Sequence, residues 1–142
     1  MSAPPSRGRL RAAAAILLAP LARAVGASPA AGHERFVARA FANRDRAIAA
    51  GDQAYGAVLV CDGEVVADGV SAVVTNADPM AHAEMQALRL AMARLGRRDL
   101  SGCALYGTSR ACAMCESAAA AAKVSRLYHG RDAAGGQPPS AR

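Results

Sequence analysis

Tyr55-Gly56-Ala57-Val58-Leu59-Val60-Cys61-Asp62-Gly63-Glu64-Val65-Val66-Ala67-Asp68 is the stretch that decides the fold. Residues 55–61 form a short β-rich apolar run, Asp62-Gly63 is a strong two-residue turn signal, and residues 64–68 read as the partner strand. Upstream, Phe36, Val37, Ala40, Phe41 and Ile48 recur at spacings of three to four from His33 onward. That period predicts a helix, with Gly51 as its stop. Downstream, a loop through Ser71–Pro79 precedes a long helix from about Met80 to Leu95, which places Met85, Leu88, Ala91, Met92 and Leu95 on one face. Gly96 supplies its C-terminal cap. Cys103-Ala104-Leu105-Tyr106 predicts a third strand, residues 112–123 an Ala-rich helix, and Val124–Tyr128 a fourth strand. Helix and strand alternate, so the expected class is α/β, a sheet of about four strands with helices packed on both faces. No internal repeat is present.

Around this unit the composition changes. Residues 1–32 contain Arg7, Arg9, Arg11 and Arg23, no acidic residue, and the apolar run Ala12–Ala19 followed by Pro, Gly and Ser. They read as a basic Ala-rich leader, either a secretory signal or a disordered extension. Residues 33–131 are the expected domain, and the Gly/Pro/Ala-rich residues 132–142 are expected to be disordered. The net charge of +6 belongs mostly to the leader, since 13 basic and 11 acidic side chains remain from residue 33 onward. That near balance disfavours a broad RNA-gripping surface. No run of 18 apolar residues exists, so no spanning helix is expected. The expected compartment is the cytoplasm, or the periplasm if residues 1–32 act as a signal. Cys61 and Cys103 sit in apolar strand runs and read as buried small hydrophobes, in a chain without a disulfide-rich pattern.

Two short motifs carry the chemistry. His82-Ala83-Glu84 opens the long helix, and Cys112-Ala113-Met114-Cys115 opens the next one. Cysteines three apart on a first helical turn share a face, so both sulfurs reach one ion. The positive end of the helix dipole favours their thiolate form. His82 supplies a third ligand. Three protein ligands with one open tetrahedral position is the pattern of catalytic, not structural, Zn2+. Glu84 then reads as the proton shuttle: zinc lowers the pKa of a bound water, and the carboxylate takes a proton as hydroxide attacks a ring carbon bearing an amino group.

From Gly56 to about Tyr128 the chain resembles the cytidine and deoxycytidylate deaminase superfamily, whose signature is H-x-E followed by P-C-x-x-C. Asp78–Met85 is similar to the stretch shared by bacterial guanine deaminases and tRNA adenosine deaminases. The spacing through Ala87-Leu88-Arg89, Leu95-Gly96 and Cys103–Tyr106 to Cys112 resembles the guanine deaminase branch more closely. The resemblance implies a three-layer α/β/α cytidine deaminase-like fold, a zinc ion, hydrolytic deamination of a nucleobase or nucleoside, and a homodimer. On it, the loop around Ser71 and Asn76, together with Ala83, is expected to touch the substrate.

Three departures accompany the resemblance. Arg110-Ala111 stands where the family has Glu-Pro before the first cysteine. Ser71 stands eleven residues before His82, where purine-deaminating relatives place an Asn, and a hydroxyl cannot offer an amide's paired donor and acceptor. The expected sheet ends at its fourth strand, short of the family's fifth strand and further helices. The alternatives are therefore a tRNA adenosine deaminase acting on RNA and, from another class, a catalytically degenerate zinc-binding scaffold. A thiol–disulfide role for Cys112 and Cys115 is more distant.

Overall fold

In a computed structural model that describes residues 29–141, helix α1 (Pro29–Ala49) leads into strands β1 (Gly56–Cys61) and β2 (Glu64–Val70). Helix α2 (Ala83–Leu95), strand β3 (Cys103–Gly107), helix α3 (Ala113–Ala121) and strands β4 (Arg126–His129) and β5 (Ala134–Gln137) follow. The sheet order is β2-β1-β3-β4-β5. β1 pairs antiparallel with both β2 and β3, β3 runs parallel to β4, and β5 returns antiparallel to β4.

β1 is buried along its whole length, which is why its sequence is continuously apolar and not alternating. Val58 and Val60 face α1 with Tyr106, meeting Phe36 and Ala40. Ala57, Leu59 and Cys61 face the opposite layer, with Leu88, Leu105 and Ala119. Both central residues of the β1–β2 turn have positive φ, Asp62 at 52° and Gly63 at 75°, as the Asp-Gly signal requires. Gly96 closes α2 in the left-handed conformation, its N–H donating to the Met92 carbonyl.

The small residues of α2 have a structural use. Ala83, Ala87 and Ala91 recur every four residues and are buried against the sheet. A side chain at Gly69 on β2 would lie 2.0 Å from the Ala83 carbonyl oxygen and 2.9 Å from Ala87 Cβ. The start of α2 therefore rests directly on strand backbone, which fixes where His82 and Glu84 project.

Three expectations need correction. The sheet has five strands, because Ala134–Gln137, expected to be disordered, pairs with Leu127–His129. Gly135 and Gly136 adopt φ of 102° and 77°, backbone angles that composition alone reads as looseness. Cys61 and Cys103 are buried as expected but joined in a disulfide, since antiparallel pairing sets them directly opposite on β1 and β3. Helix α1 begins at Pro29, inside the segment assigned to the leader, while residues 1–28 lie outside the described residues. No described helix is long and apolar enough to cross a membrane.

Candidate metal centre and active site

His82 and Cys112 occupy the N-cap positions of α2 and α3, with extended backbone angles and no side-chain cap hydrogen bond. Ser, Thr, Asp or Asn usually fills that position and satisfies the first helical N–H groups. Here the cap side chains are left free to turn toward each other. Cys112 Sγ lies 3.6 Å and Cys115 Sγ 3.5 Å from His82 Nδ1. Among the described residues these three form the only group of His, Cys, Asp or Glu able to hold a metal ion, with ligand atoms within 4.8 Å of one another.

The donor set fits zinc. Zn–S of about 2.3 Å and Zn–N of about 2.05 Å at a tetrahedral angle give an S–N separation of about 3.6 Å. The two measured separations match that figure. Cys115 is fully buried, and burial, the neighbouring Glu84 carboxylate and Cys112 together push its thiol well above the usual range. A dication would reverse that balance, because the thiolate is the ligating form.

Glu84, in the first turn of α2, is buried with Oε2 4.0 Å from Cys115 Sγ. Burial raises its carboxyl above the ordinary value, against the opposing pull of its own backbone N–H and of His82. Gly107, at the end of β3, lies beside it: an added Cβ there would be in ordinary contact with Glu84 Oε1 at 3.5 Å and would crowd the Ser109 carbonyl oxygen at 2.9 Å. Glu84 also lines a cavity of about 250 Å3 with Leu105, Ser109, Arg110, His129 and Gln137 among its walls. A buried carboxyl thus stands between three residues able to hold a metal ion and a small cavity.

The other sequence-predicted site residues fall elsewhere. Ser71 is buried, and its hydroxyl donates to Asp52 Oδ1 at 2.9 Å. Asn76 is exposed in the 71–79 loop, its N–H bonded to the Ala72 carbonyl at 2.9 Å. Ala83 is buried against Gly69. None of the three lines the cavity.

Asp52 went unnoticed in the sequence, and it organises that loop. Its Oδ2 accepts the N–H groups of Val74 and Thr75 at 2.9 and 2.8 Å. Desolvation raises its carboxyl, but bonds from Thr75, Gln53 and Ser71 outweigh that and hold it well below the usual carboxylate range. The only local signal was an Asp beside a helix-stopping Gly. His129, expected to be a surface residue, is half-buried in the cavity wall, and Gln137 reaches the same wall from β5.

Residues 31–131 match the family described as the cytidine and deoxycytidylate deaminase zinc-binding region. The chain is 35% identical over 96 residues to a tRNA-specific adenosine deaminase of Aquifex aeolicus, covering 68% of this chain and 64% of that protein. It is 38% identical over 98 residues to a guanine deaminase of Bacillus subtilis, covering 68% and 63% respectively. The X-ray structure of guanine deaminase from Bacillus subtilis superposes with a TM-score of 0.67 at 37% identity, covering 75% of this chain and 71% of that one. The match thus spans under two thirds of the length of these two curated relatives. With its fold, its donor triad and Glu84 all accounted for in these terms, the chain belongs to the cytidine and deoxycytidylate deaminase zinc-binding family.

Proposed function

We propose that the protein is a zinc-dependent deaminase that hydrolyses the exocyclic amino group of a nucleobase or nucleoside, with guanine the first substrate to test. The observation that carries this reading is Glu84, a buried carboxyl on the cavity wall 4.0 Å from a metal-ligand sulfur. Metal binding by itself gives that carboxyl no task. Zinc held by His82, Cys112 and Cys115 supplies the acidification of water that hydrolysis at neutral pH requires. Glu84 accepts the first water proton as the ring carbon is attacked and gives it to the ring nitrogen, then carries the second, from the new hydroxyl, to the departing ammonia. One water is consumed, and the amino group is replaced by a carbonyl oxygen. Leu105 and Leu127 give the cavity an apolar wall against which such a ring would pack.

A second reading, deamination of adenosine in tRNA, is favoured by one feature. Arg46, Arg89 and Arg94 line an open groove of about 520 Å3 beside β2 and α2. The near-neutral balance from residue 33 onward weighs against it. A homodimer is part of the proposal, since β2 and β5 leave two sheet edges that association would cover. The cytoplasm is retained as the working compartment. The Cys61–Cys103 disulfide favours the exported alternative.

The deciding experiment is ammonia release by zinc-loaded protein on a panel of free bases, nucleosides and a tRNA anticodon stem-loop, with Glu84→Gln as control. Turnover of a base or nucleoside, lost in the variant while zinc stays bound, is the expected result. Turnover of the stem-loop alone transfers the activity to RNA. No turnover on any member, with zinc bound, leaves a scaffold and overturns the proposal.

A further inference from the structure

Strand alternation on β4 sends Tyr128 toward α1 and Leu127 toward the layer of α2 and α3. His129, two residues beyond Leu127, therefore shares the sheet face that Glu84 overlies. Its partner across the parallel β3–β4 ladder is Gly107. An added Cβ at Gly107 would lie 3.5 Å from Glu84 Oε1 and 3.9 Å from its Cγ, so the Glu84 side chain sits over that position. Paired residues on neighbouring strands stand about 4.8 Å apart on one face, which makes His129 the next position along from Glu84. The ladder holds this spacing to its end, where the Gly130 N–H donates to the Gly107 carbonyl at 3.1 Å.

The imidazole is braced from the other side by β5. His129 pairs with Ala134, and an added Cβ at Gly135 would lie 3.3 Å from His129 Nδ1 and 3.5 Å from its Cε1. The bare glycine lets the ring lie close against strand backbone, which limits its swing. The ring is half-buried in the wall of the cavity that Glu84 lines, and it makes no hydrogen bond or ion pair among the described residues. Glu84 and Glu116, the carboxylates of the same wall, only accept hydrogen bonds when ionised. An imidazole keeps at least one N–H to give, whether neutral or charged. A carbonyl oxygen on a bound ring is therefore matched by His129 and by neither carboxylate.

Resting on the deaminase reading above, we propose that His129 is a specificity residue that donates a hydrogen bond to a carbonyl oxygen of the ring being deaminated, at a position other than the amino-bearing carbon. Glu84 addresses the amino-bearing carbon, and His129 stands one strand spacing away, a distance on the order of the width of one aromatic ring. The cavity volume of about 250 Å3 lies just under the roughly 300–1,000 Å3 of pockets for drug-sized ligands, a size that suits a single base. A donor held at that position favours oxo-amino rings over amino rings without a carbonyl, because an unmatched donor loses its water with no replacement.

The test uses the full chain loaded with zinc and pairs each oxo-amino base with an analogue lacking the carbonyl: guanine with 2-aminopurine, cytosine with 4-aminopyrimidine. His129→Leu and His129→Ala remove the donor while leaving different side-chain volumes, and His129→Gln keeps a donor. The intrinsic reactivity of each ring is common to all four proteins, so the change in the kcat/KM ratio within a pair reports the contact. That ratio should fall roughly 5- to 30-fold in His129→Leu and His129→Ala, and less in His129→Gln. Calorimetric binding of the same pairs to Glu84→Gln protein, with and without His129→Leu, gives a readout without turnover. Carbonyl-dependent binding that His129→Leu abolishes, in a protein whose wild type deaminates nothing, supports this contact and sinks the deaminase reading. Turnover in which both members of a pair fall alike, or neither moves, overturns this proposal and keeps the deaminase reading. Turnover confined to adenosine in an RNA hairpin also overturns it, because adenine has no carbonyl. Neither turnover nor carbonyl-dependent binding overturns both.

Discussion

His82 and Cys112 hold the same station on two different helices, the N-cap, and their ligand atoms meet at 3.6 Å. Both helices begin at the same end of the sheet, so their free N–H groups and positive dipole ends converge on one point. A dication held there would favour the thiolate form that binds it, against the burial that pushes the Cys115 thiol up. Purified protein is expected to carry about one zinc per chain. Cys112→Ala, Cys115→Ala and His82→Ala should each lose most of it, as read by metal analysis. Chelation should lower the melting temperature of the wild type and leave the triad variants nearly unmoved, because only a native-state ligand stabilises.

Gly69→Ala tests the mounting of the site. The added Cβ would strike the Ala83 carbonyl oxygen, which is backbone and cannot swing aside. Helix α2 must then shift at the turn that carries His82 and Glu84. The expected outcome is a destabilisation of about 1–3 kcal/mol in urea unfolding, with weakened zinc retention. An unchanged zinc affinity would show that β2 does not set the ligand geometry.

The Cys61–Cys103 bridge predicts two reactive thiols out of four in metal-free, denatured, unreduced protein, and four after reduction. With a sequence separation of 42, removing the bridge should cost about 2–4 kcal/mol in the unfolding free energy. Four thiols before reduction would show that the two side chains pack unpaired in the core.

Asp68 links the sheet to α1 and gives stability a pH dependence. Two hydrogen bonds from Arg39, reinforced by one from Asn43, lower its carboxyl to about 2. The folded value lies below the unfolded one, so the contribution is fully present above about pH 4 and is lost as pH falls through about 2. Arg39→Gln should therefore cost roughly 1 kcal/mol at pH 6, a modest figure because the Arg39 side chain is half-exposed and screened. Near pH 2 wild type and variant should converge, as urea titrations at the two pH values would reveal. A constant difference across pH would assign the effect to packing alone.

Asp52→Ala removes the acceptor shared by Ser71, Val74 and Thr75. Amide exchange at Val74 and Thr75 should speed up while that of β1 stays slow. If both amides keep their protection, the loop is held by other contacts.

What the sequence determined by itself was everything carried by local chemistry. The Asp62-Gly63 turn, the apolar run of β1 and the three-to-four period of α2 were legible because each depends on neighbours within a few residues. The His82, Cys112 and Cys115 cluster was legible because metal ligation demands particular residue types at helical spacing, and Glu84 stands beside it because it shares the first turn of α2 with His82 at its cap. The tertiary structure alone decided what depends on distant partners. Cys61 meets Cys103 only because β1 pairs antiparallel with β3 in one register, and a shift of one residue would part them. Ser71 turns to Asp52 instead of the cavity, and His129 and Gln137 join Glu84, because β4 and β5 bring the far end of the chain to the metal side of the sheet. The β5 strand itself escaped notice because Gly135 and Gly136 have no side chains to show a period of two. Its pairing is made by backbone hydrogen bonds, to which composition is blind.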